Sequence, residues 1–196
     1  RTEAIRRGRS LKLKLSVVIP VYNEEKRILR TLQAIYSGSE QPEEVIVVDG
    51  RSDDRTVELV RKRFPMTVVL DNPGRTAAKG RNIGIRRAKG DIIAFTDGDC
   101  IVGKDWIRNI RLSFETYPID GLGGKVRIAK PENYYEAYWG NLAWNLIMSF
   151  PDEPYPVTEK KLNDAFVTAN CAYKKKLLYQ IKGFSPFFAK IGRAHV

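Results

Sequence analysis

Short apolar runs alternate with amphipathic segments through the first half of the chain. Four runs have the length and Val/Ile content of buried strands, at residues 15–21, 45–48, 66–70 and 92–95. Between them, apolar residues recur at helical spacing, at Ile28, Leu29, Leu32, Ile35 and Tyr36 and again at Val57, Val60 and Phe64. A basic helix is predicted over 76–88. This alternation predicts an α/β fold, an α/β/α sandwich with a mostly parallel central sheet flanked by helices.

The pattern changes after Cys100. A helix is predicted over 105–117 with Ile107, Ile110 and Phe114 inward, and glycines near 121–124 indicate a turn or bulge within a strand that continues to 128. Residues 133–150 are rich in Tyr, Trp and Leu, and prolines at 151, 154 and 156 predict a loop. A last strand is predicted over 166–173, followed by a short helix over 174–181 that stops at Gly183. Ser52 or Asp53 is expected to cap the helix that carries Val57.

Polar side chains follow three of the predicted strands, at Tyr22 to Glu24, at Asp49 and at Asp97-Gly98-Asp99. The carboxyl ends of parallel strands share one edge of a sheet, where α/β proteins bind ligands. Hard carboxylate oxygens suit Mn2+ or Mg2+, and Gly98 keeps the backbone clear of what the metal carries. Taken alone, the Asp-Gly-Asp tripeptide fits a solvated loop as well.

Length and composition fit one globular domain of 196 residues with 43% hydrophobic side chains. No run approaches the roughly 18 apolar residues of a membrane span, and no signal-peptide pattern opens the chain. Cys100 and Cys171 have no metal-site spacing, which predicts a reducing, cytoplasmic setting.

The formal net charge is +11, and residues 1–14 hold six Lys or Arg against the single acid Glu3. This basic arm is interpreted as a solvated terminus. Contact with the inner face of the cell membrane, or with nucleic acid, is the alternative.

Four separated motifs carry a family resemblance. They are VIPVYNE (18–24), VVDGRSDDRT (47–56), KGRNIG (79–84) and DIIAFTDGD (91–99). In order and spacing the chain resembles the family 2 glycosyltransferases of GT-A fold, and FVTANCAY (166–173) and KGF (182–184) are similar to that family's later, acceptor-side motifs. The resemblance covers residues 15–184. It implies metal-assisted, inverting transfer of a sugar from a UDP- or GDP-linked donor to a saccharide or lipid-linked acceptor.

The resemblance also assigns expected roles to residues. The nucleoside pocket would use Pro20, Val21, Tyr22, Glu24 and Asp49, although Asp49 before a glycine also suits a cap or turn role. Lys79 and Arg81 would approach the diphosphate at the start of a helix. Asp97 and Asp99 would hold Mn2+ or Mg2+, and Asp97 and Gly98 would also contact the donor.

Two departures from the family pattern stand out. Many relatives have a second acid after the position of Asp49, where this chain has Gly50. The nucleobase of the donor is therefore not predicted. The acidic pair that usually supplies the general base after Gly-Phe is absent from residues 185–196. We therefore expect the chain to be a fragment, or to end in vector-derived residues from about 191, with no catalytic residue assigned. The expected division is an arm at 1–14, the GT-A domain at 15–184 and a tail at 185–196.

Two alternatives remain at this point. A nucleotidyltransferase would also use acids and a metal, but such enzymes begin with a glycine-rich phosphate loop, which residues 20–24 are not. A basic nucleic-acid-binding module would fit the net charge. The acids at the strand ends would repel polynucleotide phosphate, however, and no RNA-binding aromatic motif is present. We therefore expect no nucleic-acid partner.

Overall fold

The computed structural model describes residues 13–126 and 167–185. The strands are β1 (Leu15–Val21), β2 (Glu44–Asp49), β3 (Val68–Asp71), β4 (Ile92–Phe95), β5 (Gly121–Gly123) and β6 (Cys171–Lys174). The helices are α1 (Ile28–Tyr36), α2 (Thr56–Arg63), α3 (Ala77–Arg87), α4 (Trp106–Thr116) and α5 (Lys175–Gln180).

The six strands form one sheet in the order β3-β2-β1-β4-β6-β5. Strands β1 to β4 are mutually parallel, and β6 runs antiparallel to both β4 and β5. The register places Val21 beside Asp49 and Asp49 beside Asp71, so β1, β2 and β3 end at one level. The predicted mostly parallel α/β sheet is confirmed, with β6 as its reversed strand.

Each face of the sheet is covered by helices. Alternate residues of β1, such as Val17 and Ile19, pack with α1 and α4 through Leu32 and Ile110. On the other face, Val18 belongs to a second buried cluster with residues of α3 and α5. Because side chains alternate along a strand, one apolar strand serves both cores, and the α/β/α sandwich is confirmed.

Helix α3 lies very close to β1. A Cβ atom at Gly84 would lie 2.3 Å from Cγ1 of Val18, and one at Gly80 would lie 3.2 Å from Cβ of Pro20. Glycine permits this approach because it has no side chain. The amino end of α3 is therefore held beside the carboxyl end of β1.

A buried arginine holds the opposite edge. Arg111 of α4 has a side chain only 4% exposed. It donates to Glu40 Oε2 at 2.6 Å, to both oxygens of Glu43 at 2.9 and 3.0 Å, and to the carbonyl of Leu13 at 3.2 Å. The inward positions predicted for α4 are confirmed, but nothing in its apolar pattern indicated a buried cation.

Three local predictions were wrong. Helix α2 begins after Arg55 with no side-chain cap, because the Ser52 hydroxyl bonds to Asp49 and Asn23 and the Asp53 carboxylate bonds to Asn23. Strand β3 begins at Val68 rather than 66. Strand β6 begins at Cys171, since residues 167–170 form a turn closed by a 3.0 Å bond from the Asn170 N–H to the Val167 carbonyl.

Other predictions lie partly or wholly outside the described residues. They concern the arm, the continuation of the β5 segment to 128, the aromatic segment 133–150, the proline loop and the tail. In the two described ranges no helix is long and apolar enough to cross a bilayer.

Candidate functional site

The ends of β1, β2 and β4 meet at one edge of the sheet. The Gly50 N–H donates to the Val21 carbonyl at 2.8 Å, which joins the first two ends. A Cβ atom at Gly98 would lie 2.9 Å from Val21 Cγ1 and 3.1 Å from Glu24 Cγ, so a larger residue there would force these side chains to move. The hydroxyl of Thr31 donates to the Gly98 carbonyl at 2.8 Å. Most of the residues that the sequence singled out thus lie along one edge.

The loop after β1 is bonded to the loop after β2. The amide of Asn23 donates to Asp53 Oδ1 at 2.6 Å, and Asn23 Oδ1 accepts from the Asp53 N–H at 3.0 Å. The Glu24 N–H donates to Thr56 Oγ1 at 2.8 Å, and the Glu25 N–H to Asp54 Oδ2 at 3.0 Å. These hydrogen bonds join the loop before α1 to the loop before α2, so the two loops form one hydrogen-bonded wall.

Asp49 closes a turn within this wall. Its side chain is largely buried, and its Oδ1 accepts from the Ser52 hydroxyl at 2.6 Å and its Oδ2 from the Ser52 N–H at 3.1 Å. The Ser52 hydroxyl in turn accepts from the Asn23 N–H at 2.9 Å. The turn role weighed from the sequence is therefore present, and a ligand role for Asp49 stays a prediction.

Arg81 and Asp97 form an ion pair beneath the edge. Arg81 Nη2 donates to Asp97 Oδ1 at 2.7 Å, with side chains 8% and 36% exposed. Burial raises the pKa of Asp97, the charge of Asp99 raises it further, and Arg81 opposes both effects. The predicted approach of Arg81 to a diphosphate competes with this bond, because its guanidinium already neutralises a carboxylate.

Asp99 is exposed beside this pair. The neighbouring thiol of Cys100 has a pKa raised to about 12, first by burial and then by the charges of Asp99 and Asp97. Two carboxylates, Asp97 and Asp99, thus stand against the one guanidinium of Arg81 at the end of β4, and this excess of negative groups favours a cation. Within residues 13–126 and 167–185, no group of three or more His, Cys, Asp or Glu side chains converges to hold a metal alone. A carboxylate pair suits a cation that takes its other ligands from a substrate's phosphates.

The amino end of α3 supplies the second feature expected of a phosphate site. Thr76 caps the helix, its hydroxyl accepting from the Lys79 N–H at 3.3 Å. Lys79 is exposed and lies over Gly74, where a Cβ atom would stand 2.2 Å from Lys79 Cδ. The N–H groups at a helix start and a nearby ammonium group favour an anion.

Sequence reasoning missed the contribution of Asn82. Its side chain donates to the Phe184 carbonyl and accepts from the Phe184 N–H, both at 2.8 Å. The Phe184 ring packs edge-on against Phe95 at 5.1 Å and lies 5.7 Å from the Arg81 guanidinium carbon. Only the Asn-Ile-Gly and Lys-Gly-Phe motifs, 100 positions apart, hinted at this contact. It brings the predicted acceptor-side segment against the Arg81–Asp97 pair.

Comparison with protein families gives a match over most of the chain. Residues 16–182 match the model described as Glycosyl transferase family 2. The chain is 32% identical to the glycosyltransferase AglE of Haloferax volcanii over 123 residues, which are 60% of this chain and 40% of that protein. The matched region thus spans less than half the length of that relative.

Solved structures share the fold. TarS 1–349 of S. aureus, in complex with UDP, superposes with a TM-score of 0.69 at 21% identity, covering 93% of this chain and 52% of that one. The mannosyltransferase PcManGT from Pyrobaculum calidifontis, in complex with GDP-Man and Mn2+, gives 0.63 at 24% identity, covering 90% and 48%. These likenesses agree with the GT-A architecture expected from the sequence.

Proposed function

The chain belongs to glycosyl transferase family 2, and on that premise we propose that it transfers a sugar from a nucleoside-diphosphate donor to an acceptor hydroxyl, with metal assistance and inversion. The observation that carries the proposal is the meeting of three strand ends at one edge. Two carboxylates, Asp97 and Asp99, follow β4 there, and Asp97 is bonded to Arg81 of α3, the helix whose first turn carries the exposed Lys79.

The donor would lie along this edge from β2 towards β4. Its nucleoside would occupy the wall formed by Pro20, Val21, Tyr22, Glu24 and Asp49, whose loops are already fixed by hydrogen bonds. Its diphosphate would lie between Lys79 and the end of β4, next to Gly98. Preorganisation of this kind lowers the ordering cost that binding must offset.

A divalent cation would be held by Asp99, with Asp97 beside it. When bound, it neutralises the charge that develops on the departing nucleoside diphosphate. Arg81 holds Asp97 in position and opposes the rise in its pKa that burial causes. Mn2+ or Mg2+ fits oxygen ligands of this kind, and PcManGT was solved with Mn2+.

The solved relatives support a nucleotide-linked donor. TarS was solved with UDP and with UDP-GlcNAc, and PcManGT with GDP-Man. We therefore propose a UDP- or GDP-linked donor and a saccharide or lipid-linked acceptor. The match over 16–182 does not favour a nucleotidyltransferase or a nucleic-acid-binding module. For residues 1–14 we propose a solvated terminus, with a peripheral contact with anionic lipid as the alternative, which loss of vesicle binding on deletion of these residues would favour.

Transfer also needs a base that deprotonates the acceptor. Within residues 13–126 and 167–185 no side chain is assigned as this base, and loss of a general base typically costs about 10²–10⁴ in rate. We therefore propose that this chain binds donor well and transfers sugar slowly. If transfer is fast, Asp152, Glu153 and Asp164 are the acids to replace first.

The test is calorimetric titration with a panel of UDP- and GDP-sugars, in Mn2+ and in EDTA, followed by assay of nucleoside-diphosphate release. We expect at least one donor to bind, more tightly with Mn2+. Absence of binding by every nucleotide sugar would contradict the proposed function. Equal affinity in Mn2+ and in EDTA would contradict only the proposed role of the metal.

A further inference from the structure

Arg75, in the loop between β3 and α3, lies over the ring of Tyr22. Its guanidinium carbon is 5.1 Å from the ring centroid. Nη2 donates to the Tyr22 hydroxyl at 3.1 Å and to the Arg51 carbonyl at 3.4 Å. One side chain from the third loop therefore touches both the first and the second loop of the edge.

The loop that carries Arg75 is held in place. Its backbone is left-handed, with φ of 56°, and its N–H donates to the Asn72 carbonyl at 3.0 Å. The side chain of Asn72, 2% exposed, donates to the Thr76 carbonyl at 3.0 Å. Asn23 and Arg51, in the two neighbouring loops, are also left-handed, with φ of 55° and 62°. Such strain in non-glycine residues persists where the surroundings enforce it, and it gathers at ligand sites. The backbone that carries the Arg75 side chain is thus held in place.

Arg75 belongs to the nucleoside end of the donor site rather than the phosphate end. The neighbouring Gly74 lies under Lys79, but the side chain of Arg75 itself extends to the loops after β1 and β2. The carboxylate pair follows β4. The contacts of Arg75 are Tyr22 and Arg51, which follow β1 and β2.

We propose that Arg75 determines which base the site accepts, by donating to a carbonyl oxygen of uracil or guanine. This inference rests on the proposed function. A guanidinium group has five N–H donors and no acceptor, and Nη2 uses part of that set on Tyr22 and Arg51. Uracil offers O4 and guanine offers O6 and N7, whereas cytosine and adenine carry amino groups at the equivalent positions. The guanidinium also lies over one face of the Tyr22 ring. A base that approaches this face would therefore contact Arg75 first.

The experiment is calorimetric titration of UDP, GDP, CDP and ADP in Mn2+, on the unmodified chain and on Arg75→Met, Arg75→Lys and Arg86→Met. The unmodified chain is expected to prefer UDP or GDP. Arg75→Met should weaken the preferred nucleotide by about 5- to 150-fold, the range for a well-placed arginine–base pair, and leave CDP and ADP nearly unchanged. Arg75→Lys should behave similarly, because an ammonium group keeps the charge but loses the planar donor set. Arg86, exposed in the last turn of α3, is the matched control and should change nothing.

Three outcomes would overturn the inference while the proposed function stands. They are unchanged affinity in Arg75→Met, an equal loss for all four nucleotides, and full affinity in Arg75→Lys. The last two would indicate that Arg75 acts on the phosphates of the nucleotide through its positive charge. If the unmodified chain binds none of the nucleotides, the proposed function fails and this inference fails with it. Thermal unfolding of each variant separates these results from loss of the fold.

Discussion

Arg81 and Asp97 are joined by a 2.7 Å bond that ties α3 to the end of β4. The arginine is the more buried partner, at 8% against 36% exposure. In the described part of the chain its Nε has no hydrogen-bond partner, so the carboxylate is the main compensation for a buried charge. The pair therefore has two effects: it holds α3 against the sheet, and it fixes the carboxylate at the candidate metal site.

Replacing either partner should destabilise the fold, and Asp97→Ala should cost more than Arg81→Met. The first leaves a buried guanidinium uncompensated, while the second leaves a carboxylate that water reaches. In a double-mutant cycle measured by urea unfolding, we expect a coupling energy of about 1–2 kcal/mol, reduced by solvent screening of Asp97. Strictly additive losses would show that the direct interaction between the two side chains contributes no stability.

Asp99→Ala should abolish the effect of Mn2+ on nucleotide affinity without unfolding the protein. Asp99 is exposed, and surface substitutions of this kind usually change stability by no more than about 0.5 kcal/mol. Asp120→Ala removes another exposed acid, which pairs with Lys174 at 2.9 Å, and serves as the control for net charge. If Mn2+ still strengthens nucleotide binding in Asp99→Ala, other residues hold the metal.

Asn23→Ala should weaken both the fold and nucleotide binding. It removes two bonds to Asp53 and places alanine at φ of 55°, a combined cost of about 1–3 kcal/mol. Asn23→Gly loses the same bonds without the backbone strain, so it should be the more stable of the two. If both variants bind nucleotide as the unmodified chain does, the bonded wall of the two loops is not needed for the site.

Gly84→Ala tests the contact of α3 with β1. Alanine is favoured over glycine inside a helix by about 1 kcal/mol, but its Cβ would lie 2.3 Å from Val18 Cγ1. Overpacking of this kind costs about 1–3 kcal/mol, so we expect a net loss of stability by urea unfolding. The double variant with Val18→Ala should recover part of it. Gly103→Ala, which meets nothing within 4 Å, should be close to neutral.

The buried thiol of Cys171 should make the protein less stable at high pH. Burial raises the pKa of Cys171 from 9.0 to about 12, so the unfolded chain loses this proton at a lower pH than the native one. The free energy of unfolding is then greatest below pH 9 and falls between about pH 9 and 12, by up to about 1.4 kcal/mol per pH unit. Cys171→Ala should flatten this dependence. An equally steep fall in the variant would assign it to other groups, such as Tyr173, whose pKa burial also raises.

The sequence by itself determined the order of the elements and the edge at which the site lies. Apolar runs about the length of a strand, separated by helical periodicity, specify parallel strands, and parallel strands bring their carboxyl ends together whatever the side chains are. The pattern alone therefore places Tyr22, Asp49 and Asp97 on one edge of the sheet. The bounds of β1 and α1 also follow from local pattern, because each buries a regular set of apolar positions.

Only the tertiary structure decided which polar groups meet. Arg81 pairs with Asp97, Asn82 with Phe184, and Arg75 with Tyr22, at separations of 16, 102 and 53 positions. The burial of Arg111 could not be predicted for the same reason, since its partners Glu40 and Glu43 lie 71 and 68 positions away. Hydrogen bonds and ion pairs depend on direction and on distances that must be correct to a few tenths of an ångström. These geometries arise only when the helices have packed. Apolar burial is non-directional and roughly proportional to area, which is why its pattern can be seen in the sequence while the polar partners cannot.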